Sequence, residues 1–175
     1  MPIVLSLLLT LLAQAAAQTP QSGPPTAPSS ASTSSVFISA EEITDTLKAS
    51  IANNVVDQPI KAMDVVAPSG HRASIAMLRR TRPETSALIH NRVTEIYQIT
   101  EGSGTLVTGG TLEGATATDL TRLNAGPSQT GTHKGGDSRH VKPNDVIIVP
   151  AGTPHRFSVL DGPSITYLVY RFEPK

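Results

Sequence analysis

Cysteine and tryptophan are both absent from the 175 residues. The first absence excludes disulfides, thiolate nucleophiles and cysteine-ligated zinc, and it fits any compartment. Aromatic residues are only 3% of the chain, too few for a platform on which bases or sugars stack. Net charge is missing too: 14 Lys and Arg balance 14 Asp and Glu, so nothing recommends a nucleic acid or an anionic membrane as partner. No apolar run is long enough for a permanent membrane anchor, and no internal repeat is visible. The length suits one domain with a real core.

Charge is absent altogether from the beginning of the chain, where Glu41 is the first ionisable side chain. An apolar run from Ile3 to Leu12 precedes Ala13-Gln14-Ala15 and Ala15-Ala16-Ala17, two small-x-small patterns. These predict a secretory signal peptide over 1–18, and so an exported protein, secreted or periplasmic, although the leading residues lack Lys and Arg. Residues 19–35, TPQSGPPTAPSSASTSS, hold almost nothing to bury and predict a disordered linker.

Beyond the linker the texture becomes that of a folded domain. Ser39 followed by Glu42 forms a capping box, and Ile43, Leu47 and Ile51 recur at helical spacing, so a short helix is expected over about 40–52 within a lead-in spanning 36–59. From residue 60 to the end the pattern is one of strands. Lys61–Val66 and Arg72–Arg79 flank the turn signal Pro68-Ser69-Gly70 and read as a hairpin. Ser86–His90 and Thr94–Ile99, separated by Asn91-Arg92-Val93, read as a second one. The Gly/Thr/Ser-rich segment 109–139 reads as a long excursion with a hairpin around Gly135-Gly136-Asp137. Asp145–Val149 is an unbroken apolar stretch expected to be buried, and Ser164–Phe172 closes the chain. Eight or so short antiparallel strands with Gly/Pro corners predict an all-β sandwich or barrel.

One corner carries chemistry. In VPAGTPHRF (149–157), His155, Phe157 and Val159 alternate with Arg156 and Ser158, which turns His155 toward the apolar, inward face. An inward histidine at the mouth of a β-structure is a core residue, a metal ligand or a base. His90 and Glu95 would be cross-strand neighbours if residues 91–93 close a hairpin, near enough to share one ion. Two imidazoles and a carboxylate on three rigid elements make a facial set with open positions, suited to non-haem Fe(II) or to Zn(II). Tyr97 lies two residues beyond Glu95 and faces the same way, as an orienting or proton-transfer group or as a core residue. Arg79 and Arg80 adjoin, so one of them can point inward toward a carboxylate. His133 and His140 flank Gly135-Gly136, as surface residues or as further ligands swung over the mouth.

The stretches IHNRVTEIYQITEG (89–102) and PNDVIIVPAGTPHRF (143–157) resemble the two motifs of the cupin superfamily. In the first, His90, Glu95 and Gly102 match; in the second, Pro150, Gly152 and His155 match. Four positions depart from the pattern: Leu88 stands where a first histidine would fall, Arg82 and Asn144 replace the leading glycines, and Val159 replaces a final asparagine. The resemblance covers roughly 60–173 and implies a double-sheet jelly-roll barrel. It also implies a divalent metal, Fe, Mn or Zn, held by His90, Glu95 and His155, with one ligand fewer than the three-histidine pattern. Function then lies among three readings. The first is a metal-dependent oxygenase, isomerase or lyase acting on a small organic molecule, with Tyr97 at the reaction. The second is a non-catalytic binder of a small ligand. The third is a structural barrel without metal, filled by Leu88, Phe157 and Val159. Exposed edge strands leave homodimer formation open.

Overall fold

The computed structural model describes residues 35–65 and 70–175. The expected signal peptide 1–18 and all of the linker 19–35 except Ser35 lie outside the described residues, as does the Pro68-Ser69 turn. Helix α1 spans Ala40–Ala52, where the sequence places it; the Ser39 side chain accepts the Glu42 N–H at 3.1 Å, and Glu41 and Glu42 complement the dipole of the first turn. Ile43 and Leu47 are half-buried, but Ile51 is exposed, and it is Ser50, bonded to the Val55 carbonyl, that completes the buried stripe. No helix among the described residues is long and apolar enough to cross a membrane.

Eleven strands follow: β1 (Asp57–Val65), β2 (His71–Arg80), β3 (Ala87–His90), β4 (Thr94–Glu101), β5 (Gly104–Thr108), β6 (Thr111–Asp119), β7 (Pro127–Lys134), β8 (Asp137–Val141), β9 (Val146–Val149), β10 (His155–Leu160) and β11 (Ile165–Pro174). They form two antiparallel sheets, one ordered β1-β2-β11-β4-β9 and the other β6-β7-β3-β10-β5-β8. Inward residues of both sheets meet in one core. Tyr167 is its centre, its ring tilted against Tyr97 at 4.8 Å between centroids and against Phe157 at 5.4 Å, with Ile99, Leu106, Ile165 and Val169 around them. Burying each such side chain stabilises the fold by roughly 1.5–3 kcal/mol, before the chain entropy that opposes it. α1 packs outside, against β1 and β2.

Four expectations are corrected. β3 and β4 are not a hairpin: residues 91–93 carry the chain from one sheet to the other, and β3 pairs instead with β7 and β10. Residues 109–139 form a hairpin, but its arms are β6 and β7; Gly135-Gly136 merely links β7 to β8, which pairs with β5. Asp145–Val149 is not buried throughout, because β9 is a sheet edge with Val146 and Ile148 facing out and only Val149 fully enclosed. Val159 is 48% exposed rather than inward, since a register shift between Phe157 and Val159 breaks the alternation.

Two motif positions owe their residues to backbone geometry. Gly102 has φ +74°, and a Cβ there would collide with the Ser164 carbonyl. Asn144, at φ 76°, occupies the left-handed region that asparagine tolerates better than most residues, in a place where the family pattern has glycine.

Candidate metal centre

The corner 150–154 is locked before it delivers its histidine. Gly152 N–H donates to the His90 carbonyl at 2.8 Å, Ala151 N–H reaches Thr94 Oγ1, and Gly109 N–H bonds the Pro154 carbonyl. The second motif is thereby tied to the end of β3 and the start of β4, where the first motif's ligands lie. His155 then opens β10 with its side chain inward.

His90, Glu95 and His155 converge as expected, though from three strands of two sheets rather than across a hairpin. Their ligand atoms all lie within 4.8 Å of one another, and all three residues are buried. His90 Nε2 is 3.4 Å from Glu95 Oε1, and His155 Nε2 is 3.5 Å from Glu95 Oε2. Bonds of about 2.0–2.1 Å to one ion, at angles between octahedral and tetrahedral, place neighbouring ligand atoms roughly 2.8–3.4 Å apart. The two spacings stand at or just above the upper end of that range, close enough for one cation to lie among the three groups.

The tautomers fit as well. His155 Nδ1 meets the Thr153 carbonyl at 3.0 Å, an acceptor only, so that nitrogen carries the proton. His90 Nδ1 meets Ser128 Oγ at 2.8 Å, and the serine hydroxyl is directed to the carbonyls of Ala125 and Gly126, which leaves its lone pair for the imidazole N–H. In the neutral rings both Nε2 atoms are therefore bare acceptors facing a carboxylate. Partners of this kind orient metal-ligating histidines.

Glu95 is held from behind. Arg171 Nε donates to its Oε1 at 2.8 Å, and the Tyr97 hydroxyl donates to its Oε2 at 2.7 Å. Arg171 is itself buried; it pairs with Asp57 through Nη2 at 2.6 Å and donates to the Leu123 carbonyl at 2.7 Å. Burial opposes a charge on Glu95, but the surrounding His90, Arg171 and His155 side chains outweigh it and keep the carboxyl well below its ordinary range. Burial, helped by His90 and Arg80 and opposed by Glu95, pushes His155 down to about 4, so it is neutral and ligand-competent at pH 7. Burial and the neighbouring Glu95 charge raise the Tyr97 hydroxyl, which stays a proton donor.

Other expected residues separate cleanly. Leu88 is the cross-strand partner of His155, so the departure from the family pattern sits beside the second-motif histidine. His133 and His140 do not reach the centre: the first bonds the Gly109 carbonyl and the second bonds Asp161 on the exterior. Arg80 is the inward member of its pair, ion-paired with Glu84 at 2.8 Å. Arg171, Asp57 and Ser128 escaped sequence reasoning. The signal for Arg171 was present, since it continues the inward period of Ile165, Tyr167 and Val169, and a charge on that face needs a partner.

No family model matches the chain, and a comparison with curated proteins finds no match either. Among solved structures, the chain is similar to a protein of Bacillus halodurans, with 16% identity over 79% of this chain and 82% of that one, at a TM-score of 0.49. It is also similar to Streptomyces PAC13 with uridine, with 12% identity over 68% and 84%, TM-score 0.39. A third is a cupin 2 conserved barrel domain protein from Rhodopseudomonas palustris, with 13% identity over 63% and 70%, TM-score 0.37. In fold, this chain is a double-sheet antiparallel β-structure, with the Pro150-x-Gly152-x-x-His155 corner joined to the strand that ends at His90.

Proposed function

We propose that this protein binds a divalent metal ion, Fe, Mn or Zn, through His90, Glu95 and His155, and acts on a small organic molecule. One observation carries the reading: two imidazole nitrogens with their other nitrogens already committed, and a carboxylate, point at one another inside the barrel. Three sets of lone pairs facing a common point call for a cation between them. When bound, such an ion would polarise a carbonyl or hydroxyl and, having only three protein ligands, would leave positions open for an oxygenase, isomerase or lyase step. The chain's own residues do the rest. Ser128 and the Thr153 carbonyl set the imidazole tautomers, Arg171 and Tyr97 hold the carboxylate plane, and Tyr97 keeps a proton beside the site.

A second reading, a barrel that takes no metal and turns over no substrate, draws on a different observation. Both Glu95 oxygens already accept strong hydrogen bonds, from Arg171 and Tyr97, so its charge has partners without an ion. Elemental analysis of protein purified without added metal separates the two. Stoichiometric Fe, Mn or Zn that disappears in His155→Ala supports the first. Metal-free protein that gains no stability from added Zn²⁺ or Mn²⁺ supports the second and ends the first.

Export belongs to the same proposal and rests on the uncharged, apolar start of the chain; the N-terminal residue of the mature protein tests it, with cleavage after residues 15–18 expected. So does self-association through the β9 edge, where Val146 and Ile148 are exposed, and light scattering on the purified protein decides that point.

A further inference from the structure

A cleft of about 640 Å³ opens beside the loop that follows β2, lined by Asn54, Arg80, Arg82, Glu84, Thr85 and Ser86 among others. None of these lining residues belongs to the metal-ligand set His90, Glu95 and His155. The cleft borders that centre: Glu84 accepts the N–H of Phe157, two positions beyond His155, and Arg80 bonds Tyr167, which packs on Tyr97. The volume is that of a small-molecule site.

The lining is built rather than incidental at one point. Arg80 ends β2 with its side chain turned to the core, where Nε donates to the Tyr167 hydroxyl at 2.9 Å and Nη1 pairs with Glu84. Glu84 is spent on the protein: Oε1 faces Arg80, Oε2 accepts the Phe157 N–H at 2.8 Å, and its carbonyl accepts from Arg156. The Arg80 fork is thus held in one orientation by two neighbours, while its remaining N–H groups find no partner among the described residues. Arg82 adds an exposed second guanidinium, so two cations line the cleft against one carboxylate that is already engaged. Fixed guanidinium forks recognise planar or tetrahedral oxyanions through paired N–H donors. The amide of Asn54 and the hydroxyls of Thr85 and Ser86 supply hydrogen-bonding groups around them.

We infer that this cleft is a second binding site, built from residues other than the metal ligands, for a small oxyanion such as an organic carboxylate or a phosphate, with Arg80 and Arg82 as its anchors.

The test is calorimetric titration of the full chain at low ionic strength with succinate and, separately, with inorganic phosphate. Saturable one-to-one binding of either is expected, and the better of the two names the source of the oxyanion. Arg82→Gln, at an exposed position, should weaken binding about tenfold or more, the loss of one charge-assisted contact. Arg80→Lys keeps the charge but loses the fork, and should weaken it at least as much; Arg139→Gln, on the far strand β8, should leave it unchanged. Pre-treatment with EDTA should also leave it unchanged. No saturable binding of either anion overturns the proposal, as does equal binding in Arg82→Gln and wild type. Binding abolished by EDTA would move the anion to the metal centre and overturn it too.

Discussion

Replacing Arg171 with methionine, of similar volume but no charge, is the sharpest probe of the centre. The substitution strips Glu95 Oε1 of its 2.8 Å donor, Asp57 of its 2.6 Å partner and the Leu123 carbonyl of its 2.7 Å bond. Breaking a buried ion pair by removing one member costs about 3–5 kcal/mol, because the other charge stays buried without compensation. The two carboxylates will not share that cost equally. The Asp57 side chain is 16% exposed and water can reach it, whereas Glu95 is 1% exposed and keeps only Tyr97 and the imidazoles. The expected loss, measured by urea unfolding in EDTA, is therefore about 3–5 kcal/mol, a large part of the roughly 5–15 kcal/mol that holds a domain together. A divalent ion should reverse the ranking. In wild type it must settle beside a carboxylate already neutralised by a guanidinium; in Arg171→Met that competing cation is gone. Saturating Zn²⁺ or Mn²⁺ at about a hundredfold over its Kd stabilises by about 2.7 kcal/mol, and the same concentration should stabilise the variant more than the wild type. Should Arg171→Met prove too unstable to purify, Arg171→Lys, which keeps the charge and loses the fork, should show the same trends at reduced size. Stability within about 1 kcal/mol of wild type in EDTA, or less gain from metal in the variant, would refute this account of Glu95.

Three further outcomes follow from the same geometry. Leu88→His places an imidazole opposite His155 on the paired strand and should tighten Zn²⁺ binding at least tenfold in competition titrations; unchanged affinity would mean that position 88 does not face the centre. In metal-free protein, stability should fall as pH is lowered from about 6.5 to about 4. In that window the unfolded chain protonates the imidazole and the folded chain, with His155 held near 4, does not; above 6.5 the residue contributes no slope. The change is at most about 3 kcal/mol and should be missing in His155→Gln, so identical pH profiles for the two proteins would contradict it. Gly102→Ala combines a positive φ with a collision at the Ser164 carbonyl and should lower stability by about 1–3 kcal/mol in thermal unfolding; a neutral result would place the chain differently at that turn.

Much of the architecture was readable because period-two alternation and turn chemistry are local. Ser39 and Glu42 announced α1, the glycine and proline corners separated the strands, and the order of Pro150, Gly152 and His155 indicated an inward histidine. Misreadings arose where local signals had two solutions. Three residues between two strands suit either a hairpin or a crossing between sheets, and only the packing of β3 against β7 and β10 decides for the crossing. Alternation through Ser158 predicted an inward Val159, which the break in register turned outward.

The order of residues alone determined an all-β domain behind a short capped helix, and it singled out two histidines and a glutamate as a potential ligand set. It could not say that the three would meet, because a strand's pattern reveals which side faces inward but not which strand lies alongside. Tertiary structure supplied that, together with the charge balance of the centre. Arg171 and Glu95 are 76 positions apart and Arg171 and Asp57 are 114 apart, so no local pattern connects them, and they become neighbours only when β1, β2, β11 and β4 assemble side by side.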